Sequence, residues 1–591
     1  VNVSTPTVAP SSTMPLGAAP AAEPTPTRPW QDLRPVNARD HIAVRAASTD
    51  MDRWLHHIAP AAGCTRPIRL VGSIYTITKT GDSATITAIR RTDNMPDGEI
   101  YKACGSRLAS VCPSCSKLYQ QDAYQLLRAG LVGGKGVPDS VASHPATFAT
   151  FTAPSFGTVH RRVVRRHTCT KRSRCDCRAE PCHARTGPRD PRTCVHGTSA
   201  VCFSRHEPGD RRTGRPLCLD CYDHNAQVVW NSFSGELWRR TKQAADRYLA
   251  QLARERGIPN VLIGYTPDGK PRTVPPVRLS HGKAAEFQAR GVAHFHALVR
   301  LDGVATLDPT AVVPPPDAFT TDDIEAALQH ARDSIAFTTP PHPDQADGWV
   351  IAWGEQLDKR PLALTGTDPI TDGQVAGYLS KYATKGSEVT GHASGRITDD
   401  TYDTYADPDG DHPHRLIAAC WHLGRPTATT ARLLRPARVR RSTALGPRWT
   451  CPTCARPTRL AHCVHCAPTR QDNLDTTRPN SSPSDVDQPY SRLRRWAHLL
   501  GFGGHFFTTA RRYSVTFTAL RTARRDYHRA PRPAEPIRTA DHADEETTLI
   551  VGSLTYAGSG WHTTGDAILA NTSAAMARAR RGAIRDALTN H

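Results

Sequence analysis

Two short stretches carry side chains whose types and spacing could do chemistry. In "GYLSKYATK", residues 377–385, Tyr378, Lys381, Tyr382 and Lys385 stand at i, i+3, i+4 and i+7. On a helix starting near Asp372, the expected N-cap, these four share one face. Val375 and Leu379 point elsewhere and would anchor that helix to a sheet. A tyrosine oxygen can attack a phosphodiester, displace the 3′-hydroxyl and hold the 5′-phosphate covalently. Neighbouring ammonium groups would lower the phenol pKa and neutralise charge on the phosphate. Two tyrosines on one face allow two transfers, one to cleave and one to close. The competing reading is the solvated basic face of an ordinary helix.

The second stretch is "GVAHFHALVRLDG", a β-run in which His294 and His296 leave the same face of a strand. Val292 and Leu298 should share that face, with Ala293, Phe295, Ala297 and Val299 opposite. Two imidazoles side by side are poised to share a divalent cation, although an unrelated pair of core histidines would look the same. Glu286 and Gln288 precede them, across a turn signal at Arg290-Gly291. On an adjacent strand either one could supply a third ligand. Two His plus a carboxylate or amide oxygen suits Mg²⁺ or Mn²⁺ with positions left open for substrate oxygens. Such a cation polarises a phosphodiester.

These residues need elements to position them. Residues 1–50 read as a disordered leader rich in Pro, Ala, Ser and Thr. Residues 51–145 hold "CGSRLASVCPSC" and the helical "KLYQQDAYQLLRAGL". The main body, 146–395, opens on the strand signal "ATFATFTAPSFG" and contains a Cys-rich insertion at 165–224. It continues through a helix at 225–256, β-signals from 258 to 302, a helix at 321–336 and the tyrosine helix at 372–385. A connecting region (396–445), a zinc-ribbon-like module (446–470), a linker (471–490) and a basic C-terminal region (491–591) complete the chain.

Seventeen cysteines in a long chain without a secretory signal point to metal rather than disulfides. Cys451, Cys454, Cys463 and Cys466 form C-x2-C-x8-C-x2-C, the pattern of a closed structural Zn²⁺ site. Cys194, Cys202, Cys218 and Cys221 make a second set, with His196 and His206 as substitute ligands. Cys112 and Cys115 call for two partners, and Cys64 and Cys104 are the nearest. Cys169, Cys175, Cys177, Cys182 and His183 are a further, irregular group. A zinc nucleobase deaminase is excluded, because it needs P-C-x-x-C with a partnered H-x-E. "GLVGGKGV" fails as a phosphate loop, since Ala129 and Gly136 stand where Gly and Ser or Thr are required.

Lys and Arg total 75 against 55 acids, a formal net charge of +20, which favours a polyanion partner such as nucleic acid. No apolar run reaches the ~18–20 residues of a membrane span, so a soluble cytoplasmic protein is expected. The stretch "RWAHLLGFGGHFFTTARRYSVTFTALRTARR" could present aromatics and Arg to DNA, or it could pack on the core.

The histidine pair followed by Y-x-x-K-Y-x-x-K resembles the HUH endonucleases, the superfamily of rolling-circle initiators and relaxases. "TFTAPSFGTVH" is similar to that superfamily's first motif. "CGSRLASVCPSC", "GLVGGKGVPDSV", "PLCLDCYDHNAQVVWN", "EFQARGVAHFHALVRLDG", "GYLSKYATK" and "RWAHLLGFGGHFFTTARRYS" resemble the replication initiators of actinobacterial plasmids and integrative conjugative elements. The resemblance implies an α+β fold built on a ferredoxin-like HUH nuclease core, an antiparallel sheet with flanking helices. It also implies metal-dependent nicking and rejoining of one strand at an origin, through a covalent tyrosyl-DNA intermediate, to start rolling-circle replication. Since no ATPase signature accompanies it, a host helicase and polymerase would be partners. An HUH relaxase or transposase would share the chemistry, and a non-catalytic zinc DNA-binding regulator would not.

Overall fold

The computed structural model describes residues 37–80, 83–164, 179–185, 187, 192–362, 372–390, 395–425, 449–450, 457–458, 489–529 and 547–589. Cys451, Cys454, Cys463 and Cys466 lie outside these residues, as do Cys169, Cys175 and Cys177. The chain is a mixed α+β protein whose strand pairings, among the described residues, are antiparallel. It divides into two compact units. No helix among the described residues is long and apolar enough to cross a membrane.

One unit joins the described residues up to Cys104, and Val111–Cys115, with the C-terminal strand and helix. Strand Ile68–Thr80 lies between Ser83–Arg91 and Thr547–Ser559, and pairs also with Ile100–Lys102. Trp54, Ile58, Tyr101 and Ala570 form its core. Beside that core, the buried Arg45 bonds Asp566 at 2.7 Å and Asp97 at 3.0 Å, so both ends of the chain share one charge network.

The larger unit is organised by a six-stranded sheet. Its central pair is the glutamate strand, Val277–Phe287, and the histidine strand, Ala293–Ala305. Ala146–Phe151 and then Leu357–Pro361 extend the sheet on one side, Phe507–Thr509 on the other, and Asp308–Val313 pairs with the far end of the histidine strand. Both central strands are buried on both faces, and each face has its own core.

Phe295, Ala297, Val299 and Leu301 point to the face covered by the long helix His224–Glu255, with Val228, Val229, Leu237 and Trp238 against them. That helix starts where the Asp223 side chain accepts a bond from the Ala226 amide. Leu298, Ala284 and Ala146 point to the other face. There they meet Leu126, Leu127 and Leu131 of helix Pro113–Val132 and Val375, Ala376, Leu379 and Ala383 of the tyrosine segment. Val292 lies one residue before the histidine strand and packs into the first core, not on the histidine face as expected. The period of two thus puts the histidines and the tyrosine helix on one side.

Two polar groups interrupt these cores in opposite ways. Arg300 is fully buried and holds Asp302 through two bonds, Nε at 2.6 Å and Nη2 at 2.9 Å. Asp302 also receives Ser280 Oγ at 2.6 Å and contacts His144 Nδ1 at 2.8 Å. Burial alone would raise this carboxyl, but His144, Arg300 and Ser280 together hold it below the usual range. Lys283, by contrast, has only aromatic faces for its charge among the described residues, Phe295 at 3.8 Å and Trp238 at 5.5 Å. Burial brings its pKa down to about 7.

Asp302→Ala should cost roughly 3–5 kcal/mol in equilibrium denaturation, because it strands a buried guanidinium. The Asp302 contribution is full above the unfolded carboxyl pKa, near ~4, and should vanish as pH falls through the lower folded value. Lys283→Met should raise the unfolding midpoint, and more at pH 6 than at pH 9. Below about 7 both states hold the proton and the full cost of burying the charge is present. Above it the folded state sheds the proton and the cost fades.

Candidate functional site

The site grows from strand register. Glu286 stands opposite His294, and Ala284 opposite His296. On the other side Thr150 stands opposite His296 and Phe148 opposite Leu298. Thr150 Oγ1 lies 3.1 Å from His296 Nδ1, which turns the other ring nitrogen, Nε2, toward Glu286 Oε2 at 3.3 Å. The His294 and His296 rings are 4.7 Å apart. Burial, with His296 and Arg290 nearby, lowers the His294 pKa to about 3, so its ring is neutral and one ring nitrogen carries a lone pair. Gln288 lies beyond the strand end, in the turn closed by the Gly291 amide, and its Nε2 is 3.4 Å from His294 Nδ1. Both candidate third ligands therefore stay within reach, and only Glu286 sits on the strand face beside the histidines.

The tyrosine helix runs Asp372–Tyr382. It stops three residues before Lys385, which follows a tight turn in which the Lys385 amide bonds Tyr382 O at 3.1 Å. Lys385 is thus placed by that turn and not by the helical stripe read from the sequence. Its Nζ bonds Glu286 Oε1 at 2.8 Å and lies 4.2 Å from the centre of the Tyr382 ring. Lys381 is exposed and has no ion pair among the described residues.

The two tyrosines differ in setting. Tyr382 stacks on His296 at 5.1 Å and 24°, and Phe148 lies parallel to that imidazole at 5.8 Å and 6°. Tyr378 is 44% exposed and meets His296 edge-on at 5.6 Å. The tyrosine rings are 4.5 Å apart. Burial, the hydrogen bond with Tyr378 and the charge of Glu286 raise the Tyr382 pKa. The structure therefore gathers Tyr378, Tyr382, Lys385, Glu286, His294 and His296 around one patch of sheet.

Arg107 belongs to the stretch "CGSRLASVCPSC", and nothing in that stretch ties it to the tyrosines. Its guanidinium caps the end of the tyrosine segment, donating to Ala383 O and Lys385 O, and lies 3.6 Å from the centre of the Phe506 ring. Phe148 and Thr150 stand in the strand stretch "ATFATFTAPSFG", whose alternation gives no sign of their contacts with His296. In the C-terminal stretch, Phe502, Phe506, Phe507 and Tyr513 are buried, so these aromatics serve the core.

Among the described residues, three Cys/His clusters each bring four ligand atoms within 4.8 Å of one another, so each could hold a metal such as zinc. Cys64, Cys104, Cys112 and Cys115 come together as expected, with Cys64 Sγ 3.8 Å from Cys112 Sγ. The set Cys194, Cys202, Cys218 and Cys221 does not. His196 takes the fourth place, its Nδ1 3.2 Å from Cys221 Sγ and 3.8 Å from Cys218 Sγ. Cys202 is drawn away because its backbone bridges His183, and it joins His160, Cys182 and His206 instead.

The family described as "replication initiator protein, pSAM2" matches residues 50–575. A replication initiator protein of Streptomyces ambofaciens is 32% identical over 562 residues, covering 94% of this chain and 96% of that one. No solved structure matches. Arg107→Ala should speed amide hydrogen exchange around residues 382–386 and leave the long helix His224–Glu255 unchanged. Peptide-resolved exchange measures both.

Proposed function

The chain belongs to the replication initiator family, and from that premise we propose that it starts replication by cutting one DNA strand with Tyr378 or Tyr382. The observation that carries this reading is the packing of both tyrosine rings against His296, on the strand face that also holds His294 and Glu286. A helical stripe of Tyr and Lys facing solvent would have had no reason to meet a histidine pair.

A neutral His294, a His296 3.3 Å from the Glu286 carboxylate and a Gln288 amide 3.4 Å from His294 are donors that suit a divalent cation of the Mg²⁺ or Mn²⁺ type. His294, His296 and Glu286 or Gln288 would hold it, and when bound it would polarise the scissile phosphate. The remaining chemistry belongs to the chain. A tyrosine Oη forms a bond to phosphorus as the bond to the 3′ oxygen breaks. The phenol proton is lost and the departing 3′ oxygen gains one, leaving a 3′-hydroxyl and a 5′-phosphotyrosine. Attack by a 3′-hydroxyl on that phosphotyrosine reverses the exchange and rejoins the strand.

Tyr378 is the exposed ring and meets the incoming strand first. Tyr382 lies against His296 and Lys385, its phenol kept protonated by burial, Tyr378 and Glu286, and suits the later transfer. Lys385 neutralises phosphate charge once it leaves Glu286, and Lys381, exposed to solvent, steadies the DNA backbone. DNA is the substrate, and the net positive charge assists its capture. A host helicase and polymerase would extend the nick. A relaxase or transposase would use the same residues, and the family membership favours replication.

Incubation with single-stranded origin DNA and Mn²⁺, followed by a denaturing gel, should show a covalent protein–DNA adduct. Tyr378→Phe should abolish it, and Tyr382→Phe should leave it while blocking rejoining. No adduct with any divalent metal, alongside intact duplex binding, would instead identify a non-catalytic regulator.

A further inference from the structure

The Cys/His cluster absent from the sequence reading is His160, Cys182, Cys202 and His206. Three separate backbone segments bring it together. His160 pairs with the 214–215 segment, its amide bonding Arg215 O at 2.8 Å and its carbonyl receiving the Gly214 amide at 2.7 Å. Residues His183 and Cys202 exchange both backbone bonds, at 2.8 and 2.9 Å, and the Cys182 amide bonds Ser204 O at 3.0 Å. His206 follows four residues later and is 1% exposed.

The spacings match one small ion. Zinc bonds of ~2.3 Å to sulfur and ~2.0 Å to nitrogen give tetrahedron edges of about 3.3 Å between two nitrogens and ~3.8 Å between two sulfurs. Here His206 Nε2 lies 3.3 Å from His160 Nδ1 and 3.7 Å from Cys202 Sγ, and Cys182 Sγ lies 3.9 Å from His160 Nδ1. The second ring nitrogen of His206 is also committed. Its Nδ1 is 2.7 Å from Asp210 Oδ2, and Asp210 is fixed in turn by the Arg212 amide at 2.9 Å and by its guanidinium at 3.0 Å. A carboxylate behind a histidine is the arrangement that sets the tautomer and strengthens a metal-bound imidazole.

The cluster also has a place in the fold. Gly214, bonded to His160, has φ +87°, and a Cβ there would lie 2.5 Å from Ala289 Cβ and 2.8 Å from the Arg290 amide nitrogen. Ala289 and Arg290 form the turn that leads into the histidine strand. Among the described residues of 179–218 the buried hydrophobic side chains are Ala179, Cys182 and Cys218, so a metal can stand in for a core there.

We propose that His160, Cys182, Cys202 and His206 bind a zinc ion, with Asp210 orienting His206, and that this zinc braces the turn from which the histidine strand starts. The site is closed, with two thiolates and two imidazoles, and leaves no position for substrate. The proposal does not depend on the tyrosine chemistry, and its test needs no DNA.

Zinc per chain is measured in the full-length protein by elemental analysis. Cys182→Ser and His206→Ala should each lose one equivalent relative to wild type. His183→Ala should lose none, although His183 Nδ1 lies 3.0 Å from Cys182 Sγ. Asp210→Asn keeps every ligand, so folding is not at stake. It should retain zinc but yield it to a competing chelator at a concentration roughly 10–100-fold lower. Wild-type zinc content in both ligand variants, or wild-type chelator resistance in Asp210→Asn, would overturn the site. Hydrogen exchange across residues 287–292 should quicken in His206→Ala, and an unchanged rate there would overturn the brace.

Discussion

The molecule depends first on one antiparallel register. The glutamate strand ends at Phe287, the chain turns, and the histidine strand begins at Ala293, so that Glu286 faces His294 across the pair. Gly291 makes the turn possible at φ +77°, and a Cβ there would lie 2.7 Å from Leu500 Cδ1. Arg290 O and Gly291 O are held from outside by Gln227, Asn231 and His412 at 2.8–2.9 Å. A slip of one residue would turn His294 and His296 into the core lined by Trp238, and would put Phe295 beneath the tyrosine helix. Because both faces of the sheet are buried, such a slip would expel a whole apolar layer on each side. The register is therefore fixed by the cores, and the site inherits its geometry from them.

Electrostatics then separates two tyrosines that are chemically identical. Tyr382 lies over His296 with Lys385 above it, while Tyr378, one helical turn earlier, is open to solvent. Burial and the nearby Glu286 charge favour the neutral phenol at Tyr382. Glu286 itself has two claimants, His296 Nε2 at 3.3 Å and Lys385 Nζ at 2.8 Å. A cation arriving at the histidines would compete with the Lys385 ammonium for this carboxylate. On the proposed reading, that competition releases Lys385 toward the phosphate when the site is loaded.

What could be read in the sequence was what depends on local period. The shared face of His294 and His296, the opposite face of Phe295 and Ala297, and the tyrosine helix with its apolar Val375 and Leu379 all follow from spacing alone. The position of Lys385 did not, because the helix ends at Tyr382 and a turn, not a stripe, delivers the ammonium to Glu286. Nor did the partners of Cys202, since spacing along the chain says nothing of the bridge to His183. The pairing of Ile68–Thr80 with Thr547–Ser559 joins opposite ends of the chain, and no linear reading of domains could find it. The aromatic C-terminal stretch was ambiguous for a different reason. Aromatics with Arg suit either a stacking surface or a core, and only burial separates the two.

The Cys/His clusters and the histidine face answer opposite needs with overlapping ligands. A cluster that stabilises a loop-rich segment works best when its metal is saturated by thiolates and imidazoles and exchanges nothing. A site that handles a phosphodiester needs oxygen and nitrogen ligands and open coordination positions. Histidine occurs in both settings, so its neighbours decide the role. His206 has two cysteines and a 2.7 Å contact with Asp210, whereas His296 has Thr150 behind it, Glu286 in front and a tyrosine ring over its face. On the proposed readings, placing sulfur in the braces and oxygen on the sheet would let one chain hold a permanent cation and an exchangeable one without either site capturing the other's metal.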